Sequence, residues 1–415
     1  MVTFIATIFV FSLVILIHEF GHYKVAQSVG IKIEEFAIGM GPIIYKKIKN
    51  ETVYSIRLLP IGGFVRMEGE EEDVQSSTSY NCKTVWQRFK VIAAGPIMNF
   101  VLAIIIFIII SFGFGVLGNT VNQMDENSEI YKAGIRPNDK IVSINGDKVY
   151  IWDEIIYDLL EKTSENLETP LDIKVERDKE TLDFRVNQYT RNIIGIYSKS
   201  EQFETSIVET KDKQSPAYKA GIRTNDEIIK INNIDISNFE DIRLAINALN
   251  EDKLNITVKR DGQELKFEVV PKKVAQLGFN THVEKSFITT VASSFYKTGY
   301  YIRLMFEFIG NLFGGHVKEG SVGGPIQIVS MIGETSKLGI YPLLNLVALL
   351  SINLGFFNLL PIPALDGSKL VFLIIEKIRG KKIPIEKEGF VHFVGFVLLI
   401  TLMIFVTYKD VVRLF

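Results

Sequence analysis

Cysteine is almost absent from this sequence, in which Cys82 is the single one among 415 residues. One cysteine excludes an intrachain disulfide and a thiolate metal cluster, so any bound metal must be held by nitrogen and oxygen. A surplus of positive charge is also missing, because 46 Lys and Arg stand against 48 Asp and Glu and leave a net charge of −2. This balance argues against a nucleic-acid partner.

Charged side chains are missing from four stretches, although they make up 23% of the chain. Each stretch approaches or exceeds the about 20 residues that a helix needs to cross the hydrocarbon core. The stretches are residues 1–17, 91–124, 338–365 and, with a neutral histidine at 392, 389–408. They predict a multi-spanning α-helical membrane protein with four transmembrane helices. The first stretch is not closed by a clear small-x-small site, so we do not expect it to be removed as a signal peptide.

Lysine and arginine near the span ends set the expected orientation. The connection 24–90 carries ten basic residues and the connection 366–388 carries six, so we expect both in the cytoplasm. The N-terminus, the long segment 118–337 and the C-terminal tail are then expected on the other side. A domain-sized segment crosses the membrane regardless of its charges, so its lysines do not contradict this orientation.

An internal repeat organises the long segment. The residues Ala133-Gly134-Ile135-Arg136 recur as Ala220-Gly221-Ile222-Arg223, and both copies continue with Asn-Asp, an alternating strand, a turn pair and a further strand. Ile194-Gly195-Ile196 near the end of the first copy is matched by Leu277-Gly278-Phe279. The repeat predicts two small β-rich extracytoplasmic domains, residues 118–200 and 201–282, inserted between spans 2 and 3.

These copies resemble PDZ domains through the pattern AGI…ND.I..IN, with the Gly-apolar carboxylate loop at the end of each copy as in the circularly permuted bacterial form. The resemblance implies that a peptide or a substrate C-terminus is captured by strand addition at an exposed sheet edge. A rigid spacer or lid that binds nothing is the alternative, and the sequence leaves both open.

The remaining connection and the ends of the chain complete the predicted organisation. Aromatic residues with scattered charges over 286–313 predict a helix lying at the membrane surface, and a Gly-rich run ends it. The predicted parts are 1–117 (two membrane helices with a cytoplasmic β-loop), 118–200, 201–282, 283–337 (interfacial helix and Gly-rich connection) and 338–415 (two further membrane helices).

The clearest chemical signal is His18-Glu19-Phe20-Gly21-His22 at the end of the first stretch. Residues four apart on a helix share one face about 6 Å apart along the axis, so both imidazoles can converge on one Zn2+. Glu19 can then take a proton from an activated water. The alternative is a set of polar residues at a helix end, which is costly inside a membrane without partners.

A zinc site of this kind needs a third protein ligand, for which Asp366 is the candidate. Asp366 ends the third stretch, on the membrane side where His18 is expected. Pro361 and Pro363 before it would unwind the helix and allow the carboxylate to turn inward. Taken alone, Asp366 fits a helix N-cap better than a ligand; paired with the first motif it predicts the third ligand.

Together HEFGH and NLLPIPALDG, which begins at Asn358, resemble the double signature of the site-2 protease family. Within that family the chain is similar to the bacterial regulators that clip membrane-bound anti-sigma factors. AGPIMNF at 94–100 and PIGGFVRM at 60–67 match as well. The resemblance implies one Zn2+ per chain, bound by His18, His22 and Asp366, with Glu19 as the catalytic base.

The same resemblance implies where a substrate would be held. It makes residues 60–67 a membrane-associated β-hairpin loop that pairs with an unwound substrate helix. It also implies that two asparagine side chains bind the substrate backbone. The implied substrate-binding residues are Asn358, Asn353, Gly62, Gly63, Phe64 and Val65. For Asn353 the alternative, a buried amide bonded to a neighbouring helix, stays open.

The resemblance therefore implies a zinc-dependent intramembrane endopeptidase of the bacterial plasma membrane, acting on single-pass proteins such as anti-sigma factors or remnant signal peptides. One alternative is a non-catalytic adaptor that binds peptides through its PDZ-like copies, but it has no need of Glu19. Another is a membrane-anchored zinc peptidase for soluble chains, which usually takes its third ligand from a nearby helix. His282, His316 and His392 lack metal-like spacing and are expected to be ordinary surface or interfacial residues.

Overall fold

In the computed structural model the chain divides into two compact units, Met1–Val116 with Glu284–Phe415, and Leu117–Val283. The structure describes residues 2–70, 72, 74–161, 169–188, 190–199, 204–210, 212–249, 251–275, 278–315 and 323–414. His316, Leu277 and much of the Gly-rich run lie outside the described residues.

The first unit begins with a long apolar helix and a long, irregular hairpin. They are α1 (Val2–Ser28), β1 (Ile33–Lys49) and β2 (Thr52–Met67), and helix α2 (Val85–Phe114) follows. A capping box begins α2, because the Thr84 side chain accepts from the Gln87 N–H while the Gln87 side chain accepts from the Thr84 N–H. These two contacts satisfy backbone groups that the first turn of a helix leaves free.

The charge-free stretch 91–124 contains the end of α2 and the start of the strand after it, close to the boundary predicted between residues 117 and 118. Gly115 ends α2 with a φ of 83°, a conformation that favours glycine. Strand β3 (Val116–Met124) follows at once. The absence of charge marks an apolar segment but does not distinguish a helix from a strand, so it does not by itself locate the end of the span.

The second unit contains the two repeat copies, each a small sheet with short helices. The first copy has β3, α3 (Glu129–Lys132), β4 (Lys140–Ile144), β5 (Asp147–Lys148), α4 (Trp152–Ile156, continued by a π-helical turn Tyr157–Glu161), β6 (Leu171–Arg177) and β7 (Glu180–Val186). Between the copies lie β8 (Thr190–Ile193) and β9 (Tyr197–Ser198). The second copy has β10 (Val208–Glu209), α5 (Pro216–Ala220), β11 (Glu227–Ile231), β12 (Ile234–Asp235), α6 (Phe239–Ala248), β13 (Leu254–Arg260) and β14 (Gln263–Val269), followed by β15 (Lys272–Ala275) and β16 (Phe279–Glu284).

Each copy builds its core from alternating positions along its strands. The first sheet has the order β16-β3-β4-β6-β7, with β5 beside β4, and the second has the order β12-β11-β13-β14. Alternate residues of β6 and β13 are buried, as period-two patterning requires. Separate apolar cores result, one around Ile141 and Ile173 and the other around Ile228 and Ile256.

The Gly-apolar segment at the end of each copy's sequence packs with the other copy. Strand β16, which follows Gly278, pairs with β3 of the first copy. Ile194 instead belongs to the core of the second copy, and its carbonyl accepts from the Ala217 N–H. Strand β3 begins directly after the end of α2, so no chain precedes it to form the neighbouring strand, and β16 takes that place. The predicted carboxylate loop at the end of each copy is wrong in this respect.

Five further helices complete the first unit. They are α7 (Phe287–Phe313), α8 (Pro325–Lys337), α9 (Ile340–Leu359), α10 (Asp366–Arg379) and α11 (Ile385–Leu414). Helix α7 matches the predicted helix 286–313, whose position at the membrane surface stays a prediction. Helices α8 and α10 were not predicted; Pro325 occupies the first turn of α8, where its missing N–H costs no hydrogen bond.

Helices α1, α2, α9 and α11 are those of the described chain with the length and composition to cross a membrane. Each of them overlaps one of the four charge-free stretches. A shared core packs α1, α2 and α9 together, with Val10, Phe107 and Val347 fully or almost fully buried. This packing brings the C-terminal parts of α1 and α9 against α2, which contacts His18 and His22 of α1.

Candidate metal centre

His18 and His22 of α1 converge with Asp366, the first residue of α10. The Nε2 atoms of the histidines lie 3.2 Å apart, and each also lies close to Asp366 Oδ2, at 3.1 Å from His18 and 3.3 Å from His22. The three ligand atoms form the one such His, Cys, Asp and Glu group found among the residues that the structure describes. Sequence spacing predicted the two histidines together; the fold adds the carboxylate from 344 residues farther along (366 − 22).

The triangle of ligand atoms fits a tetrahedral zinc ion. Zinc binds imidazole nitrogen and carboxylate oxygen at about 2.0–2.2 Å, which places tetrahedral ligands about 3.3–3.5 Å from one another. The three edges of 3.1, 3.2 and 3.3 Å are close to that spacing. Three protein ligands leave a fourth position free, as in catalytic rather than structural zinc sites.

A backbone contact sets the tautomer of His22. Its Nδ1 lies 2.9 Å from the carbonyl oxygen of Val91 in α2, so Nδ1 must carry the hydrogen. The lone pair is then on Nε2, which points at the other ligand atoms. Gly95 of α2 lies beneath this ring, because a Cβ at that position would be 2.3 Å from His22 Nε2.

Asn99 makes the corresponding contact to His18. Its side-chain amide lies 3.2 Å from His18 Nδ1, and the other amide atom, labelled Oδ1, is buried without a partner among the described residues. Amide oxygen and nitrogen are assigned from their surroundings, and rotating the amide by 180° places Oδ1 where it accepts from the His18 Nδ1–H. That orientation leaves a lone pair on His18 Nε2 and matches the tautomer of His22.

Asp366 reaches the histidines because the chain bends sharply before α10. Helix α9 ends at Leu359, and Gly367 lies against it so closely that a Cβ there would be 2.1 Å from the Leu360 carbonyl oxygen. The N-cap of α10 is Leu365 rather than Asp366, and the Asp366 carboxylate points at the two imidazoles. The N-cap alternative from the sequence therefore does not describe this residue.

Glu19 lies beside the three ligands and against the hairpin. Its carboxylate accepts from the backbone N–H of Val65, and its Cγ would be 3.7 Å from a Cβ at Gly63. A carboxylate next to the open side of the metal centre is suitably placed to exchange a proton with a bound water.

The segment Gly63–Met67 of β2 forms an edge of the hairpin sheet. On one side it pairs with β1, with Phe64 opposite Ala37 and Val65 opposite Phe36. On its other side it pairs with no strand in the described part of the chain, and the Val65 N–H points towards Glu19. An extended peptide added to this edge would lie along the metal centre. Gly62 has a φ of 89° where β2 bends into this segment.

Asn353 and Asn358 lie near the C-terminal end of α9 and are both half-buried. Within the described residues neither side chain has a hydrogen-bond partner, so both amides can bond to a bound molecule. The alternative for Asn353, a bond to a neighbouring helix, is absent from the same described residues. Their role in substrate binding stays a prediction.

An ion pair connects the hairpin to α10 beside the centre. Lys369 Nζ lies 2.7 Å from Glu70 Oε1, one helical turn after Asp366. The negative charge of Glu70 raises the pKa of Lys369 above its usual value, so this lysine stays charged. The pair fixes the chain after β2 to the helix that carries Asp366.

No role was predicted for Asn99, although it lies in the motif AGPIMNF. Gly95 and Asn99 are four residues apart, like the histidines that they contact, and this matched spacing on α2 was a signal that could have found them. Exposure at His282 and Cys82 agrees with the ordinary roles expected for them. His392 is different from the expectation, because it is half-buried and its Nδ1 accepts from the backbone N–H of Ala364.

Comparisons with known proteins connect this geometry to a family. The model of peptidase family M50 matches residues 6–402. The chain is 30% identical to the zinc metalloprotease RasP of Bacillus licheniformis, with 100% of this chain and 99% of that protein covered. It is also 30% identical to the regulator of sigma-E protease RseP of Escherichia coli, with 96% of each covered. Among solved structures, the HtrA3 PDZ domain bound to a phage-derived ligand is 23% identical over 21% of this chain and 91% of that one, with a TM-score of 0.18.

Proposed function

This chain belongs to peptidase family M50 and is a membrane metalloprotease, and we propose that it is a zinc-dependent endopeptidase that cleaves single-pass membrane proteins within their spans. One observation carries the proposal: the ligand atoms of His18 and His22, in the C-terminal half of the apolar helix α1, meet that of Asp366, the first residue of α10, at zinc-like spacing. We assign one Zn2+ per chain to them.

The surroundings of these ligands support a cation rather than a hydrogen-bonded cluster. With both Nδ1 atoms donating, to Val91 and Asn99, neither Nε2 carries a hydrogen. Three lone-pair atoms then face one another in a buried place, an arrangement that is repulsive without a positive charge between them. Zinc, when bound, supplies that charge together with Lewis acidity towards water and a scissile carbonyl.

Glu19 is the proposed proton carrier. It takes the proton of the attacking water and returns it to the leaving amine, which balances the hydrolysis of one peptide bond. The Val65 N–H lies beside this carboxylate.

The substrate is proposed to be an unwound membrane helix. A peptide bond inside a helix is protected by its hydrogen bonds, so the scissile segment must be extended before attack. The free edge of Gly63–Met67 can pair with such a segment, and the unpaired amides of Asn353 and Asn358 can bond its backbone. Phe64, Val65, Gly62 and Gly63 are thereby assigned to substrate binding.

The relatives and the sequence support the wider assignment. One relative is named a regulator of sigma-E protease, and we extend this to anti-sigma-type or remnant signal-peptide substrates in regulated intramembrane proteolysis. The charge pattern supports a metal centre towards the cytoplasm of the bacterial plasma membrane and repeat copies on the opposite side. We assign peptide or substrate C-terminus binding to the PDZ-like copies, whose β16 is an edge strand.

The test compares wild type with Glu19→Gln in detergent, using a single-span substrate and a soluble peptide of the same cleavage sequence, with zinc content measured in parallel. We expect about one zinc in both proteins, cleavage of the single-span substrate by wild type, and a rate at least about 100-fold lower for Glu19→Gln. Equal cleavage by the two proteins would remove Glu19 from the mechanism. Preference for the soluble peptide would contradict intramembrane cleavage and favour the soluble-chain peptidase.

A further inference from the structure

Helix α11 touches the chain just before Asp366 at two places. His392 Nδ1 lies 3.1 Å from the backbone nitrogen of Ala364. Gly395, almost one turn farther along α11, approaches Pro363 so closely that a Cβ would lie 2.2 Å from Pro363 Cβ and 2.6 Å from its carbonyl oxygen. Both contacts involve the segment Pro361–Leu365, which joins α9 to the helix that carries Asp366.

The backbone hydrogen bonds of this segment depend on His392. Pro361 and Pro363 have no N–H to donate. The Ile362 N–H donates to the carbonyl of Leu360, the residue just before the segment, and the Leu365 N–H donates to the Ile362 carbonyl within it. The Ala364 N–H alone donates to another element, and its acceptor is the His392 ring. A half-buried backbone N–H without an acceptor is costly, so this contact stabilises the turn.

Ala364 itself has a φ of 73°, in the left-handed region that a residue with a Cβ rarely adopts. Such a conformation persists only where the surrounding structure determines it. The hydrogen bond from Ala364 to His392 and the close approach of Gly395 to Pro363 both restrain the backbone here. The His392 ring is in turn held by the edge of Phe372 in α10, with 5.8 Å between ring centres.

We propose that α11 positions the third metal ligand: His392 and Gly395 hold Pro361–Leu365 in the turn that directs the Asp366 carboxylate at His18 and His22. His392 is a positioning residue and takes no part in the proton transfers. The inference rests on the proposed metal centre, since it assigns α11 a role in building that centre.

The test measures zinc affinity of the full chain in detergent by competition with a chelator of known affinity, in a double-mutant cycle. His392→Leu removes the acceptor and is expected to lower zinc affinity about 10- to 100-fold, as loss of a ligand-orienting contact does. His392→Asn keeps an oxygen acceptor near the Nδ1 position and should stay within about 3-fold of wild type. In an Asp366→Ala background His392→Leu should have no further effect, because its action passes through Asp366.

Gly395→Ala supplies an independent measurement with a matched control on the same helix. We expect it to lower zinc affinity, whereas Gly389→Ala should not, because nothing lies within 4 Å of a Cβ at Gly389. The absorption spectrum of bound Co2+ adds a readout of coordination: His392→Leu should shift it towards that of Asp366→Ala, and His392→Asn should not.

Two results would overturn the proposal while leaving the metal centre intact. They are unchanged zinc affinity in His392→Leu, and an equal loss in the wild-type and Asp366→Ala backgrounds, which would show that His392 acts elsewhere. A wild-type chain without zinc, or an Asp366→Ala chain with wild-type affinity, would instead overturn the ligand assignment and this inference with it.

Discussion

Aspartates that are buried or half-buried occur in both units, and their surroundings differ in one respect. In the repeat unit, Asp139 is paired with Arg177 through two contacts of 2.7 Å, and Asp226 is paired with Arg260 at the same distances. Each of these aspartates also accepts a backbone N–H, from Arg136 or from its repeat counterpart at 223. Their negative charge is therefore balanced by a side chain of the same copy.

Asp366 in the first unit has no such partner. Among the described residues its contacts are the two imidazoles, and the neighbouring Lys369 is engaged by Glu70. A buried carboxylate paired with an arginine has its charge balanced within the fold, whereas a carboxylate facing two imidazole nitrogens is suited to bind a cation. The first arrangement stabilises a fold; the second is the one that we assign to the proposed metal centre.

The largest expected effect comes from Asp366→Asn. We expect zinc affinity and cleavage to fall by more than the about 10- to 100-fold that loss of an outer contact costs. Thermal stability of the zinc-free protein should not fall, because no cationic side chain loses its partner. Zinc titration and melting of the apoprotein check both parts, and strong destabilisation of the apoprotein would make Asp366 a structural residue like Asp139.

Substitution of Asp139 or Asp226 should lower stability and leave zinc affinity unchanged. Asp139→Asn and Asp226→Asn each break a bidentate pair in which the aspartate is buried and the arginine is about one-third exposed, and each should destabilise its own copy by about 2 to 3 kcal/mol without changing zinc affinity. Hydrogen exchange of β4 or β11 measures the loss. Asp183→Asn is the control, since its exposed pair with Lys174 should contribute less than about 1 kcal/mol. Equal effects at Asp139 and Asp183 would contradict the distinction.

Removal of zinc by a chelator should change hydrogen-exchange protection in the first unit but not in the repeat unit. Exchange protection should fall in α1 and around the turn before α10, where the ligands lie, because binding stabilises the residues that it connects. The strands of the repeat unit should keep their protection. A loss in β6 or β13 equal to that in α1 would show that the metal stabilises the whole chain.

Asn99 gives a smaller and more selective prediction. Asn99→Leu should lower zinc affinity about 10-fold by releasing the His18 tautomer, while Asn99→Asp keeps an acceptor and should retain or raise affinity. Competition titration of the two variants decides the amide orientation. Weaker binding in Asn99→Asp than in Asn99→Leu would mean that the amide donates to His18 and that the tautomer argument is wrong.

Sequence analysis predicted the elements whose signal is local. The i,i+4 spacing of His18 and His22 predicted their shared helix face, and charge-free stretches predicted the long apolar helices. Asp366 was predicted because its motif was recognised, while its convergence with the histidines depends on the packing of α9 and α10, which spacing alone does not encode.

Other features could not be predicted because they arise from contacts between distant segments. The acceptor role of His392 depends on where α11 crosses the turn at Ala364. The exchange of β16 into the first sheet depends on the missing neighbour of β3, and the repeat pattern alone assigned that strand to the wrong copy. Hydropathy does not report backbone conformation, so the absence of charge over 91–124 could not locate the change from α2 to β3.

Zinc K-edge X-ray absorption of the purified full chain tests the central claim most directly. The account predicts about one zinc per chain with two imidazole nitrogens and oxygen ligands at about 2.0–2.2 Å, and loss of zinc or an altered ligand shell in Asp366→Asn. A zinc shell without imidazole, or the same spectrum in wild type and Asp366→Asn, would contradict the assignment of His18, His22 and Asp366 as the metal centre.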